Sequence, residues 1–287
     1  MKVMVTGAAG QLGTDAVRIF TEQGHEVLAS DRAQLDITDQ QQTIDAVTAF
    51  KPDAIVHCAA YTAVDAAETD VDGAYRVNAV GTRNLAVAAE QVGAKLIYIS
   101  TDYVFDGQSE QPYHEYDNTN PQSIYGKSKR AGEVHAQTLS SRYFIVRTSW
   151  VYGLHGNNFV KTMLKLGQEK PSLQVVHDQK GSPTYTVDLV HFLAELMLTE
   201  KYGIYHASGS GACTWYEFTQ AIFEEARDIM GLTIQSELHP CSTDQFPRPA
   251  HRPANSVMEH LSIRTNGFND LRSWREALKD FLKELSA

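Results

Sequence analysis

Short apolar runs alternate with amphipathic stretches through the first half of the chain. The runs Lys2–Thr6, Glu26–Ser30, Asp53–Cys58, Lys95–Ser100 and Tyr143–Thr148 are partly β-branched and mostly lack strict alternation. That is the pattern of strands buried on both faces. Between them, helical periodicity predicts helices over Gln11–Gln23, Gln40–Phe50, Val71–Val92 and Ser123–Thr138. Strand–helix–strand alternation of this kind predicts an α/β fold with a doubly wound parallel sheet.

The second half is less regular. Asn158–Gln168 and Thr186–Leu198 read as helices, and Gly203–Ala207 as a further strand. Thr214–Met230 reads as a helix with Thr214 as N-cap and Glu217 three residues later, a capping-box spacing. Pro240, Pro247, Pro249 and Pro253 punctuate an irregular stretch, and an amphipathic helix over Leu271–Leu285 follows it. The pattern divides the chain into a sheet domain, 1–149 with about 186–207 returning to its sheet, and a smaller C-terminal α/β lobe from 150–185 and 208–287.

Composition narrows the class. Hydrophobic residues make up 43% and charged residues 21% of the 287 residues, an ordinary globular balance. The formal net charge of -10 argues against a nucleic-acid partner, which needs an excess of Lys and Arg. A small phosphate-bearing ligand stays possible, because one helix N-terminus can hold it. Cys58, Cys213 and Cys241 are widely spaced and form no C-x-x-C, so neither a disulfide framework nor a zinc site is expected. Cys58 lies in an apolar run and reads as a small core residue. The eleven histidines show no H-E-x-x-H spacing, and no metal is expected. No segment is long enough to span a bilayer, and the apolar N-terminal stretch is too short for a signal peptide. A cytoplasmic protein with no membrane partner is expected.

Candidate chemistry begins at Gly7-Ala8-Ala9-Gly10-Gln11-Leu12-Gly13, a G-x-x-G-x-x-G loop after a strand and opening a helix. Gly7 permits the tight turn, Gly10 lets a pyrophosphate approach, and Gly13 allows close helix–strand packing. The helix N-terminus adds free N–H groups and a positive dipole end. This context predicts a Rossmann-type dinucleotide site with Gly10, Gln11 and Leu12 against the cofactor. Asp31 ends the second strand, where a carboxylate accepts both ribose hydroxyls of NAD. Arg32 follows it and suits a 2′-phosphate, so NADPH and NADH both remain open. Asp36 and Ile37 are placed near the adenine. Ala60, Tyr61 and Thr62, after the third strand, and Ile99, on the fourth, are further cofactor candidates.

Tyr125 and Lys129 are four apart at the start of a helix and therefore share a face. A phenol with a pKa near ~10 is a poor acid–base group at neutral pH. A nearby ammonium and a positive nicotinamide ring favour phenolate, so a lowered Tyr125 pKa is expected. A Tyr tuned this way donates a proton to a carbonyl oxygen as hydride arrives. Lys129 also suits the nicotinamide ribose. Ser100-Thr101 ends the fourth strand, at the functional edge of such a sheet, and Thr101 is placed to hydrogen-bond the substrate oxygen.

These features together resemble the extended short-chain dehydrogenase/reductases that act on nucleotide sugars. Ser-Thr-Asp-Tyr-Val-Phe-Asp-Gly (100–107), Ile-Tyr-Gly-Lys-Ser-Lys (124–129), Arg-Thr-Ser-Trp-Val-Tyr (147–152) and Gly-Asn-Asn-Phe (156–159) are similar to motifs of its dTDP-4-dehydrorhamnose reductase branch. So are Ala-Val-Asp-Ala-Ala-Glu (63–68) and Arg-Pro-Ala-Asn-Ser (252–256), and the likeness covers nearly the whole chain. The resemblance implies hydride transfer from NAD(P)H to C4 of dTDP-4-dehydro-β-L-rhamnose. It implies Tyr125 as proton donor, Lys129 as its tuning partner, and Thr101 with Asp102 against the substrate. Trp150 would line the sugar pocket in the smaller, substrate-binding lobe, and Asn157, Asn158 and Arg252 would contact the diphosphate or nucleotide. A core aromatic at Trp150 and loop capping by the Asn pair are the structural alternatives.

Some relatives dimerise around a carboxylate-held metal. Asp15 is one candidate acid here and Glu284 the last acidic side chain, but no full set is visible. Monomer and homodimer stay open. A dehydratase is disfavoured because it needs an Asp-Glu pair after the Thr, and here Asp102 is followed by Tyr103. An epimerase reuses the same hydride machinery and stays open. So does a non-catalytic subunit like the regulatory β subunit of methionine adenosyltransferase. A hydrolase is disfavoured, for no G-x-S-x-G elbow is present.

Overall fold

The computed structural model describes residues 1–287. Along the first half run β1 (Lys2–Thr6), α1 (Gln11–Glu22), β2 (Glu26–Ser30), α2 (Gln40–Phe50), β3 (Ala54–His57), α3 (Val64–Ala67) and α4 (Val71–Tyr75). A π-helical turn, Arg76–Gly81, leads into α5 (Thr82–Val92), then β4 (Lys95–Thr101), α6 (Ile124–Leu139) and β5 (Tyr143–Thr148). The second half adds β6 (Val151–Tyr152), α7 (Phe159–Glu169), β7 (Ser172–Val176), β8 (Lys180–Gly181), β9 (Thr184–Tyr185), α8 (Thr186–Met197) and β10 (Gly203–His206). It ends with β11 (Cys213–Thr214), α9 (Trp215–Met230), β12 (Glu237–Cys241), α10 (Leu261–Thr265) and α11 (Trp274–Ser286).

Six strands pair in parallel in the order β10-β5-β4-β3-β1-β2. Val3, Met4 and Val5 of β1 and Ala54, Ile55 and Val56 of β3 are fully buried, which is why these runs carry no polar alternation. One face packs on α1 and α8 through Ala16, Ile19, Phe20, Leu189 and Leu193. The other packs on α2, α5 and α6 through Val47, Leu85, Ala89 and Ala136. The chain runs outward one way to β2 and the other way to β3, β4 and β5. The strand order therefore reverses between β1 and β3, where a crevice for a ligand opens at the carboxyl ends.

The helix expected over Val71–Val92 is interrupted by the π turn. Gly81 sits there against Ile37, where a Cβ would approach the Ile37 side chain to 2.6 Å. π-turns inside α-helices are frequent at functional sites. The last helix starts at Trp274 rather than Leu271, because Ser273 accepts from the Glu276 amide and caps it there.

Three two-stranded sheets, β6 with β9, β7 with β12 and β8 with β11, lie beyond the main sheet and have no counterpart among the expected elements. A second core joins α7, α9 and α11 through Tyr152, Val160, Met163, Phe218, Ile222 and Phe281. Ile263 and Leu271, from the segment after β12, pack instead with the main sheet. The Thr214–Glu217 capping box forms: the Thr214 hydroxyl accepts from the Glu217 amide at 3.1 Å, and the Glu217 carboxylate accepts from the Thr214 amide at 2.7 Å. Thr214→Ala is expected to lower stability by about 1 kcal/mol in urea unfolding, with the cofactor affinity unchanged. A loss below ~0.3 kcal/mol would mean that α9 is held by its packing alone.

Candidate active site

The glycine loop forms a cradle at the crevice between β1 and β3. Gly7 has φ +67°, and a Cβ there would lie 2.6 Å from the Ala59 amide nitrogen after β3. A Cβ on Gly13 would lie 2.1 Å from the Gly7 carbonyl, so only Gly lets α1 close on the turn. Gly10 is exposed and is the N-cap of α1, with no side chain capping this end and no acid in its first turn. By contrast α2, α6, α7, α9 and α11 are capped by Asp39, Ser123, Asn158, Thr214 and Ser273. A bare, exposed helix N-terminus behind a glycine turn fits a dinucleotide diphosphate.

Asp31 stands at the end of β2, but one carboxylate oxygen already accepts from the Ala33 and Gln34 amides, at 2.8 and 3.2 Å. Arg32 is exposed beside it. Asp36 accepts from the Thr38 amide and hydroxyl, which hold its carboxyl below the usual range. The Ile37 side chain is buried in the core, and its carbonyl accepts from the Asn84 amide group at 3.0 Å. Ala60 and Tyr61 are half-buried and Thr62 is exposed, on the loop after β3.

Thr101 ends β4, and Tyr125 opens α6 one residue after its first position. Gly126 is required here, for a Cβ would come within 2.2 Å of the Tyr103 carbonyl. The Tyr125 and Tyr103 rings meet edge to face at 5.5 Å. The Thr101 hydroxyl donates to Asp102 Oδ1 at 2.9 Å and accepts from the Tyr103 amide at 3.2 Å. Asp102 is buried, its Oδ2 has no hydrogen-bond partner, and burial raises its carboxyl to about 6.

Burial pushes the Tyr125 phenol up to about 12; the Thr101 hydroxyl pulls it back and the Asp102 charge raises it further. The Lys129 ammonium is directed at the sheet backbone. Lys129 Nζ donates to the Ile99 carbonyl at 2.6 Å and lies 4.1 Å from the Tyr98 ring centroid. Burial lowers Lys129 to about 7, while Glu133 favours its charged form.

Sequence reading missed the polar groups beneath this pair. Glu133 stands on the same face of α6 as Tyr125 and Lys129, at the same four-residue step. It is fully buried and takes a bidentate pair from Arg147 of β5, at 2.8 and 2.9 Å, and a bond from the Ser100 hydroxyl at 2.7 Å. Ser100 and Arg147 are register partners on adjacent strands. Asn78, in the π turn, accepts from the Tyr61 amide at 2.8 Å and donates to the Tyr61 carbonyl at 3.1 Å and the Ser128 hydroxyl at 2.9 Å. It ties the loop after β3 to the helix carrying Tyr125. The only signal for these groups was the four-residue step from Lys129 to Glu133.

Trp150 is half-buried and stacks on Trp215 at 3.5 Å and 6°. Its φ of +49° is rare for a bulky residue. Asn157 is exposed, whereas Asn158 caps α7. Arg252 pairs with Asp65 at 3.0 Å, lies 5.8 Å from the Tyr103 ring centroid, and has a buried Nη1 without a partner. Tyr103 thus joins Arg252 to the Tyr125 cluster, while the Trp150 indole lies against Gly181 of β8, next to Lys180, which bridges Asn255 of the same segment as Arg252.

Asp15 is buried and accepts from the Thr186 hydroxyl at 2.6 Å and from Arg18 at 3.2 Å; Glu284 accepts from the Tyr185 hydroxyl. No three His, Cys, Asp or Glu side chains gather as a metal site. No helix is long and apolar enough to cross a membrane.

A family model described as the RmlD substrate binding domain matches residues 1–287. The spore coat polysaccharide biosynthesis protein SpsK of Bacillus subtilis is 43% identical, over 100% of this chain and 98% of that protein. A dTDP-4-dehydrorhamnose reductase of Aggregatibacter actinomycetemcomitans is 42% identical over 97% of each chain. The crystal structure of dTDP-4-dehydrorhamnose reductase from Bacillus anthracis in complex with NADP superposes with a TM-score of 0.95, at 46% identity over 99% of each chain. With a family model matched over the full length and relatives above 40% identity, the chain belongs to the dTDP-4-dehydrorhamnose reductase family.

Proposed function

We propose that this chain reduces dTDP-4-dehydro-β-L-rhamnose to dTDP-β-L-rhamnose, the last step of dTDP-L-rhamnose synthesis. The observation that carries the reading is the Tyr125 phenol beside the Thr101 hydroxyl, which ends β4 at the carboxyl edge of the sheet that bears the bare glycine cradle. NADPH or NADH, when bound, supplies the hydride. The N–H groups of Gly10, Gln11 and Leu12 would hold its diphosphate, Asp31 and Arg32 its adenosine ribose, and Lys129 its nicotinamide ribose. Tyr125, with its phenol pushed up to about 12, is protonated at neutral pH and is the acid that places a proton on O4 of the sugar. Thr101 would orient that oxygen by turning its hydroxyl proton to it from Asp102. The unpartnered Arg252 Nη1 suits the sugar-nucleotide diphosphate, where a guanidinium is paired and desolvated together. Trp150 supplies an apolar wall for the sugar ring.

The test is to mix the purified chain with NADPH and dTDP-4-dehydro-L-rhamnose and follow the absorbance of the reduced cofactor. Consumption matched by dTDP-rhamnose formation is expected. No consumption when both ligands bind would overturn the reading.

A further inference from the structure

Gln11 is the first residue of α1, so its main-chain N–H belongs to the glycine cradle. Its side chain points to the other lobe. Gln11 Nε2 donates to the Val151 carbonyl at 3.1 Å, and Gln11 Oε1 accepts from Asn158 Nδ2 at 2.9 Å. These partners lie 140 and 147 residues further along the chain. Asn158 Nδ2 also donates to the Gly153 carbonyl at 2.8 Å, and Asn158 Oδ1 caps α7 through the Lys161 amide at 3.1 Å. Both ends of the Gln11 amide are therefore engaged by the segment that follows Trp150, and in this arrangement they are not directed at a dinucleotide.

That segment needs holding. A bulky residue at positive φ persists only where its surroundings over-determine it. The Trp150 carbonyl accepts from the Thr184 amide at 3.2 Å. Its indole lies on Trp215 and against Gly181, where a Cβ would come within 2.5 Å of the ring. All of these ties come from the second lobe. Gln11, bonded to the carbonyl of the very next residue, is a tie from the cofactor side.

We propose that Gln11 is a positioning residue: its side-chain amide clasps the Trp150 segment to the glycine loop, so that one residue registers the sugar pocket against the cofactor cradle. The proposal rests on the reductase reading in taking Trp150 as a wall of the sugar pocket.

The experiment compares the full-length chain with Gln11→Ala, Asn158→Asp and the double variant. Asn158→Asp keeps the cap of α7 and removes the donor to Gln11. Three readouts are taken: the Kd of NADPH from its fluorescence, KM and kcat for the keto sugar, and acrylamide quenching of tryptophan emission. Loss of the clasp is expected to raise KM for the sugar by about 5–30-fold, the scale of one or two net hydrogen bonds. The NADPH Kd should stay within about 2-fold, because the N–H groups of the cradle remain. Quenching of the tryptophan emission, to which Trp150 contributes beside Trp215 and Trp274, should increase in each single variant. The double variant should raise KM no further than the stronger single one, because the two residues act through one contact. An NADPH Kd that weakens as much as KM would make Gln11 a cofactor ligand and overturn the proposal. Additive effects in the double variant, or unchanged KM and quenching, would overturn it as well. If the parent chain binds NADPH but turns over no keto sugar, the reductase reading fails. Quenching and NADPH affinity, which need no sugar, then still decide the clasp.

Discussion

Tyr125→Phe is expected to lower kcat by about 10²–10⁴-fold, the usual contribution of a positioned general acid. The substitution removes one hydroxyl and keeps the ring, so the edge-to-face contact with Tyr103 at 5.5 Å survives and the fold is retained. Cofactor affinity should change little, because the cradle at Gly10 lies on α1 and Tyr125 on α6. Steady-state kinetics alongside an NADPH titration separate the two effects. An unchanged rate would remove Tyr125 from the chemistry; a lost rate with lost cofactor binding would make it a binding residue instead. Burial pushes the phenol up to about 12, so the phenol hydroxyl that Tyr125→Phe removes carries its proton over the neutral range.

Glu133→Gln should destabilise the protein by about 3–5 kcal/mol, the usual result of removing one partner of a buried ion pair. Glu133 is fully buried and Arg147 is 2% exposed, so water cannot replace the missing charge. The Arg147 guanidinium would be left without its bidentate carboxylate, and the Ser100 hydroxyl would lose its charged acceptor. Replacing both residues together, Glu133→Met with Arg147→Met, should cost far less, since apolar packing replaces a desolvated pair. Urea unfolding of the single and double variants measures this. A loss below ~1 kcal/mol in the single variant would show that the guanidinium is compensated by other groups. The same substitution removes the carboxylate that favours the charged form of Lys129, so the site should weaken along with the fold.

Local features were legible in the chain itself. The glycine turn, the capping box at Thr214 and Glu217, and the shared face of Tyr125 and Lys129 depend on neighbours within a few residues. The buried strands of the main sheet read correctly because strands covered on both faces must be apolar throughout. The three small sheets did not. β6, β8, β9 and β11 are each two residues long, too short for any period. β12 contains Pro240 and finds β7 more than sixty positions earlier in the chain, through the Glu237–Ser172 register.

The candidate site divides in the same way. Its residue types and their order along the chain, Gly10, Thr101, Tyr125, Lys129, are sequence properties, because the first three sit at a strand end or helix start that local pattern predicts and Lys129 follows Tyr125 by one turn of α6. Where the Lys129 ammonium points, and which way the Tyr125 phenol shifts, were settled only by tertiary burial. The Ile99 carbonyl captures the ammonium, and desolvation dominates the shift of the phenol. The Glu133–Arg147 pair depends on the β4–β5 register, and the Gln11–Asn158 clasp on two lobes meeting across 147 residues. Periodicity reports which face a residue shows, but only the packed chain decides what meets it there.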